Sequence, residues 1–266
     1  MNPGTQRIEL AGALNVRDLG GLATAANGVT RFGRLIRSGG LQELTPADVE
    51  HLTRTLGVRE VIDLRSTAEV RREAPGPLAR VPGVRIRNLS LLAESPPGSA
   101  QGSERVDTER AMPWNRSGVD GRPKPAGSTG HYLRYCAERP DSVVAALRVI
   151  AHGTGATVVH CAMGKDRTGV VCALALEAIG VRREDVVADY VRSGEQMAEI
   201  VERLRDNPLY AADISSRPFA SLLPRPAYIQ DLLDTFDDRF DGVRAWLATH
   251  GWTADDQEAL AGRLLD

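Results

Sequence analysis

Short branched-apolar runs alternating with longer amphipathic segments predict an α/β fold, a mostly parallel central sheet flanked by helices, with additional helices toward the C-terminus. The strand signals are residues 35–38, 58–64, 84–89 and 157–161, each rich in Val, Ile or Leu and bounded by Gly, Pro or polar residues. Helix signals lie between and after them. Residues 45–56 open on Thr45-Pro46, a favourable helix start, and residues 142–152 carry Val143, Ala146, Leu147 and Ile150 on one stripe. Residues 168–179 are apolar almost all round, so this helix is expected to be buried. Helix-length segments between strands imply parallel crossovers, and such a sheet binds ligands beyond the carboxyl ends of its strands.

The chain reads as one domain over residues 1–266, with a flexible insertion at about 95–130 and a helical C-terminal part from about 183. The insertion is rich in Gly, Pro, Ser and charge and too poor in apolar residues to build a core. Residues 184–205, 227–249 and 253–265 show apolar residues at three- and four-residue spacing, and the proline-rich stretch 207–226 separates the first two.

Bulk properties exclude several function classes. A formal net charge of -2 argues against a nucleic-acid partner, which calls for a basic excess on one face. The three cysteines, Cys136, Cys161 and Cys172, fit neither a disulfide framework nor a zinc site, and imply a reducing compartment. His51, His131, His152 and His250 are scattered without metal-ligand spacing, so neither a metal nor another cofactor is expected. No signal-peptide pattern opens the chain, and no run reaches the ~18 apolar residues of a membrane span. A cytoplasmic protein without stable membrane insertion is expected; the sequence is silent on oligomeric state.

Residues 160–169 read His-Cys-Ala-Met-Gly-Lys-Asp-Arg-Thr-Gly, at the junction of an expected strand and the buried helix. Unpaired amides at a helix N-terminus, with the positive end of the helix dipole behind them, form a site for a phosphate dianion and also favour a thiolate. Cys161 is then the nucleophile. The spacing of five residues between Cys161 and Arg167 lets the loop curl so that the planar guanidinium binds two phosphate oxygens, which lysine cannot do. Ala162, Met163, Gly164, Lys165 and Thr168 complete the phosphate site. Thr168 supplies a hydroxyl to the sulfur, and His160 braces the loop. Gly164 permits a backbone conformation closed to other residues, and Gly169 allows close helix packing.

With Asn15-Val16-Arg17-Asp18-Leu19-Gly20-Gly21, Arg37-Ser38-Gly39, Ile62-Asp63-Leu64-Arg65-Ser66 and Val187-Ala188-Asp189-Tyr190-Val191-Arg192-Ser193 in order around this loop, the chain resembles the bacterial and fungal protein tyrosine phosphatases of the mycobacterial PtpB type. The resemblance spans most of the chain outside 95–130. It implies a phosphatase fold and a substrate that is a phosphorylated protein, most directly at phosphotyrosine, the alternatives being a phosphoinositide phosphatase or a dual-specificity one acting also on phosphoserine and phosphothreonine. Lys165, a second cation beside Arg167, bears on the lipid alternative; the other reading is a solvated loop charge.

This chemistry needs an acid for the leaving phenolate and a base for water, and the Trp-Pro-Asp loop of other phosphatases is absent. Asp166 is the first candidate, either as that acid or as a group orienting Arg167. Asp63, at a strand end, is a second candidate or else a structural partner of Arg65; Glu94 is a third. Arg17 and Asp18 are read as a structural turn, and Cys136 and Cys172 as core thiols, either of which is a conceivable partner for an oxidised Cys161. Two alternatives remain beside the phosphatase: an enzyme of sulfur or arsenate chemistry on the same anion loop, and a non-catalytic phosphate-binding module.

Overall fold

The computed structural model describes residues 6–73, 76–94 and 127–266. Six strands form one sheet in the order β1-β2-β3-β6-β4-β5: β1 Gln6–Arg7, β2 Arg17–Asp18, β3 Leu35–Ser38, β4 Val58–Asp63, β5 Arg85–Asn88 and β6 Ala156–His160. The last four are the strands read from the sequence, and they pair in parallel. β1 and β2 add an antiparallel edge. At two residues each they are too short to leave a period in the sequence, and Arg17 and Asp18, read as a turn, form one of them.

Alternation along the central strands divides the apolar residues between two layers. Leu35, Ile62 and Val159 face a large core with the helices α3 Gly127–Glu138, α4 Pro140–His152, α5 Asp166–Ala178 and the C-terminal helices. Ile36, Val61 and Val158 face a smaller core with the segment around Leu41, Leu44, Leu52 and Leu78. That smaller layer includes α1 Pro46–Glu50, which Thr45 and Asp48 start with a reciprocal capping box and which widens into a π-helical turn over His51–Thr55. Helix α5 is buried on nearly every side, as its composition requires.

Beyond the sheet, the expected long helices are broken. Residues 184–205 form α6 Arg183–Arg192 and α7 Met197–Arg205, because the chain turns at Ser193-Gly194 and buries Ser193 beneath the loop after β6. Residues 227–249 form α10 Pro226–Phe240 and α11 Val243–Thr249, parted where Asp241 and Gly242 take φ values of 60° and 93°. The stretch 207–226 is not bare loop: α8 Ala211–Ser216 and α9 Phe219–Leu222 lie within it. A final helix, α12, spans Ala254–Leu264. Of the expected insertion, residues 95–126 lie outside the described residues, and residues 127–130 open α3.

Strand order sets where ligands can bind. β6 lies between β3 and β4, so its carboxyl end opens at the middle of the sheet with the chain leaving β3 on one side and β4 on the other.

Candidate functional site

The loop from Cys161 to Lys165 joins β6 to α5. Its shape is imposed from outside. Gly40 N–H donates to the Ala162 carbonyl at 3.0 Å, Asn15 Nδ2 to Met163 at 3.0 Å and Arg37 Nη2 to Gly164 at 2.7 Å. In a trans peptide the N–H points opposite to the C=O, so drawing these three carbonyls outward aims the amides of Met163, Gly164 and Lys165 toward the loop's interior. Gly164 has φ +70°, and a Cβ there would sit 2.6 Å from both the Gly39 nitrogen and the Ser38 oxygen, so no other residue fits. At Gly169 a Cβ would meet the Tyr190 ring at 3.0 Å, which sets how closely α5 packs on α6.

Beneath the loop lies a buried charge cluster. Asp189 accepts from Arg17 Nε at 2.6 Å and from Arg37 Nη1 at 2.5 Å, while Ser193 Oγ stands 3.3 Å and 3.1 Å from the same two guanidinium groups. Burial, followed by the neighbouring Arg37, pushes the Arg17 guanidinium down to about 10. Burial alone would raise the Asp189 carboxyl, but Arg17 and Arg37 outweigh it and hold it below the usual range. The scattered motifs at 15–21, 37–39 and 187–193 thus meet in one place.

Cys161 is only 2% exposed. It shares a cleft with Ala162, Met163, Asp166 and Arg167 on the loop side and with Leu204, Tyr210, Asp213 and Ile214 from α7, α8 and the turn between them. Arg167 donates two parallel bonds to Glu69, Nη1 to Oε2 at 2.6 Å and Nη2 to Oε1 at 2.9 Å. Glu69 is fully buried on α2, Thr67–Glu73, whose start it also caps by accepting from Ser66 N–H at 2.7 Å. Burial opposes its charge, but Arg167 outweighs burial and holds the carboxyl low. The Tyr210 hydroxyl lies 3.1 Å from Glu69 Oε1 and 3.2 Å from Glu73 Oε2, and its single proton serves one at a time.

The remaining sequence-predicted residues divide between the cleft and its surroundings. Asp166 lines the cleft, and its Oδ1 accepts from Tyr132 Oη at 2.5 Å and lies 3.4 Å from Lys165 Nζ. Tyr190 donates in turn to Tyr132 at 2.7 Å. Arg167 is therefore oriented by Glu69 and not by Asp166. Lys165 is no solvated charge: it is buried and donates to the Leu222 carbonyl at 2.7 Å. The Thr168 hydroxyl is buried with no hydrogen-bond partner among the described residues, so the expected donation to the sulfur is not made in this state. His160 is buried with Nε2 3.7 Å from Asp63 Oδ2, and burial keeps the imidazole below its ordinary range against the pull of Asp63.

Asp63 is clasped by Arg65, which donates from Nη2 at 2.7 Å and from Nε at 3.0 Å. Burial opposes its charge, but His160 and the Arg65 bonds bring the carboxyl down to about 2. Glu94 is exposed and accepts from Thr67 N–H at 2.6 Å at the start of α2. Neither lines the Cys161 cleft. Cys136 and Cys172 are pushed up to about 12 by burial, as befits core thiols. Among the described residues no group of three His, Cys, Asp or Glu side chains gathers as a metal site.

Sequence reasoning missed Glu69, Tyr210, Tyr132 and Asp213. Only Glu69 left a signal, the Ser66-x-x-Glu69 capping box, and that signal speaks of a helix start rather than a guanidinium partner.

A family model described as "Tyrosine phosphatase family" matches residues 8–266. The triple specificity protein phosphatase PtpB of Mycobacterium tuberculosis is 35% identical over 209 residues, which cover 74% of this chain and 73% of that protein. A putative tyrosine-protein phosphatase of Cupriavidus necator is 34% identical over 70% of this chain and 62% of its own length. A tyrosine-protein phosphatase of Nostoc commune is 30% identical over 61% of this chain and 49% of its own length.

Proposed function

This chain belongs to the tyrosine phosphatase family and is a phosphatase of the cysteine-based kind, and we propose that it hydrolyses protein phosphotyrosine through a phospho-cysteine on Cys161. The observation that carries this reading is one cleft holding Cys161 and Arg167 on a loop whose amides turn inward. The phosphoryl group sits on those amides, with the fork of Arg167, held in plane by Glu69, across its oxygens. Ala162, Met163, Gly164 and Lys165 supply the backbone of the cradle. The apolar walls of Leu204, Ile214 and Tyr210 suit the ring of an aryl ester. Thr168, with its hydroxyl uncommitted beside the loop, donates to the sulfur as it leaves phosphorus. Asp166 borders the site, and His160 and Gly169 support it.

Turnover of an aryl phosphate in the presence of a chelator tests the reading. Cys161→Ser is expected to abolish it, and Arg167→Ala to lower kcat/KM by at least about 100-fold. Undiminished turnover by Cys161→Ser sinks the mechanism.

A second reading, phosphoinositide hydrolysis, is favoured by a further cleft that shares Met163 and Asp166 with the first, where His131, Lys165 and Arg217 bring three basic side chains beside Asp166. A second phosphate on an inositol ring fits that chemistry. Selective loss of phosphoinositide turnover in Lys165→Ala, with phosphotyrosine peptides spared, supports it. Equal loss on both substrates removes it.

A further inference from the structure

The phosphatase reading leaves the proton unassigned. A phenolate leaving group needs an acid, and the water that cleaves the phospho-cysteine needs a base. Among the described residues two carboxylates line the cleft, Asp166 and Asp213. Of those around it, Glu73 is held by Arg65 and Asn207. Glu69 accepts both parallel bonds of Arg167. Asp63 is held by Arg65, and Glu94 caps α2 outside the cleft. Asp166 lies within the cleft, but its Oδ1 already accepts from Tyr132 and faces Lys165.

Asp213 is the other carboxylate that lines the Cys161 cleft. It does so from α8, with its side chain 8% exposed. Leu204, Ile214 and Tyr210 line the cleft with it and are the side chains against which an aryl ring would lie. Arg217, one helical turn on, pairs with it at 4.0 Å. In-line displacement puts the leaving oxygen on the side of phosphorus away from the sulfur, toward the walls of the cleft that the loop does not supply, and Asp213 is part of those walls.

We propose that Asp213 is the general acid of the first step and the general base of the second, a role that rests on the phosphatase reading. In the first step the Cys161 sulfur forms a bond to phosphorus as the bond from phosphorus to the ester oxygen breaks; that oxygen keeps the electron pair and takes the proton of the Asp213 carboxyl. In the second, the Asp213 carboxylate takes a proton from water while the water oxygen bonds to phosphorus, and the electron pair of the breaking sulfur–phosphorus bond returns to Cys161. Inorganic phosphate leaves and Asp213 is again protonated.

Leaving-group dependence of the first turnover tests this. Phenyl phosphate needs the acid, whereas 2,4-dinitrophenyl phosphate releases a stable anion and does not. In Asp213→Asn the burst of phenol should slow by about 100-fold or more, while the burst of dinitrophenolate stays near the wild-type rate and is followed by slow turnover as phospho-Cys161 accumulates. The dinitrophenolate burst also reports that the variant is folded. Equal slowing on the two esters, a phenol burst within about threefold of wild type, or the selective loss in Asp166→Asn instead overturns the assignment to Asp213. A dinitrophenolate burst that survives Cys161→Ser overturns the phosphatase mechanism with it, and so separates the two failures.

Discussion

The loop's floor and its roof are built from different forces. Below, two guanidinium groups, one carboxylate and a hydroxyl are buried together, and Arg37 and Asn15 spend further donors on the loop's carbonyls. Above, Met163 packs with Met197, Ile200, Val201, Leu204 and Ile214 in an apolar cluster, and the polar ties to the rest of the molecule lie around it, among them Tyr210 and Asn207 to Glu69 and Glu73 and Lys165 to Leu222. Charged hydrogen bonds have fixed directions and are costly to leave half made, whereas apolar contacts tolerate displacement. The floor therefore holds the geometry of the phosphate site and the roof governs what reaches it.

The largest effect should come from the floor. Asp189→Asn leaves Arg17 and Arg37 buried together without their counter-charge, and urea unfolding should show a loss of about 3–5 kcal/mol, with phosphatase activity falling in step. A loss below about 1 kcal/mol would mean that the floor is as forgiving as the roof.

Next comes acid sensitivity beside the floor. Asp63 is held at about 2 in the fold and titrates near 3.9 in an unfolded chain, so its contribution is present above about pH 4 and is lost as pH falls through about 2. The sign is that of a depressed carboxylate, and the amount is about 2–3 kcal/mol. Asp63→Asn should be less stable than wild type at neutral pH by about that amount, and the gap should close as pH falls from about 4 to about 2. A gap independent of pH would show that lost packing, not charge, is responsible.

The smallest effect belongs to the roof. Tyr210→Phe keeps the ring and removes one hydroxyl, with an expected cost of about 1 kcal/mol and a kcat on aryl phosphates within about threefold of wild type, since Glu69 still holds Arg167. The change should appear mainly in KM. A fall in kcat beyond about tenfold would show that the roof also sets catalytic geometry.

Much of the fold was legible in the chain. Branched-apolar runs and helical stripes are local patterns, and they located the four parallel strands and the helix after the loop. Where the reading slipped, the cause was long-range. Residues 184–205 read as one helix because nothing in their spacing says that Ser193 must turn beneath Arg17 and Arg37. The reading of Lys165 as a solvated charge fails only because the carbonyl of Leu222, 57 positions away, accepts a hydrogen bond from it.

By itself the sequence determined the loop, its cysteine and arginine, and the alternating α/β order, because spacing of a few residues decides helix, strand and turn. Tertiary structure alone decided the partners of those residues: Glu69 for Arg167 across 98 positions, Asp189 for Arg37 across 152, and Asp213 in the lining of the cleft. The physical reason is the strand order. With β6 placed between β3 and β4, segments far apart in the chain converge on one sheet edge, and no local pattern records which side chains meet there.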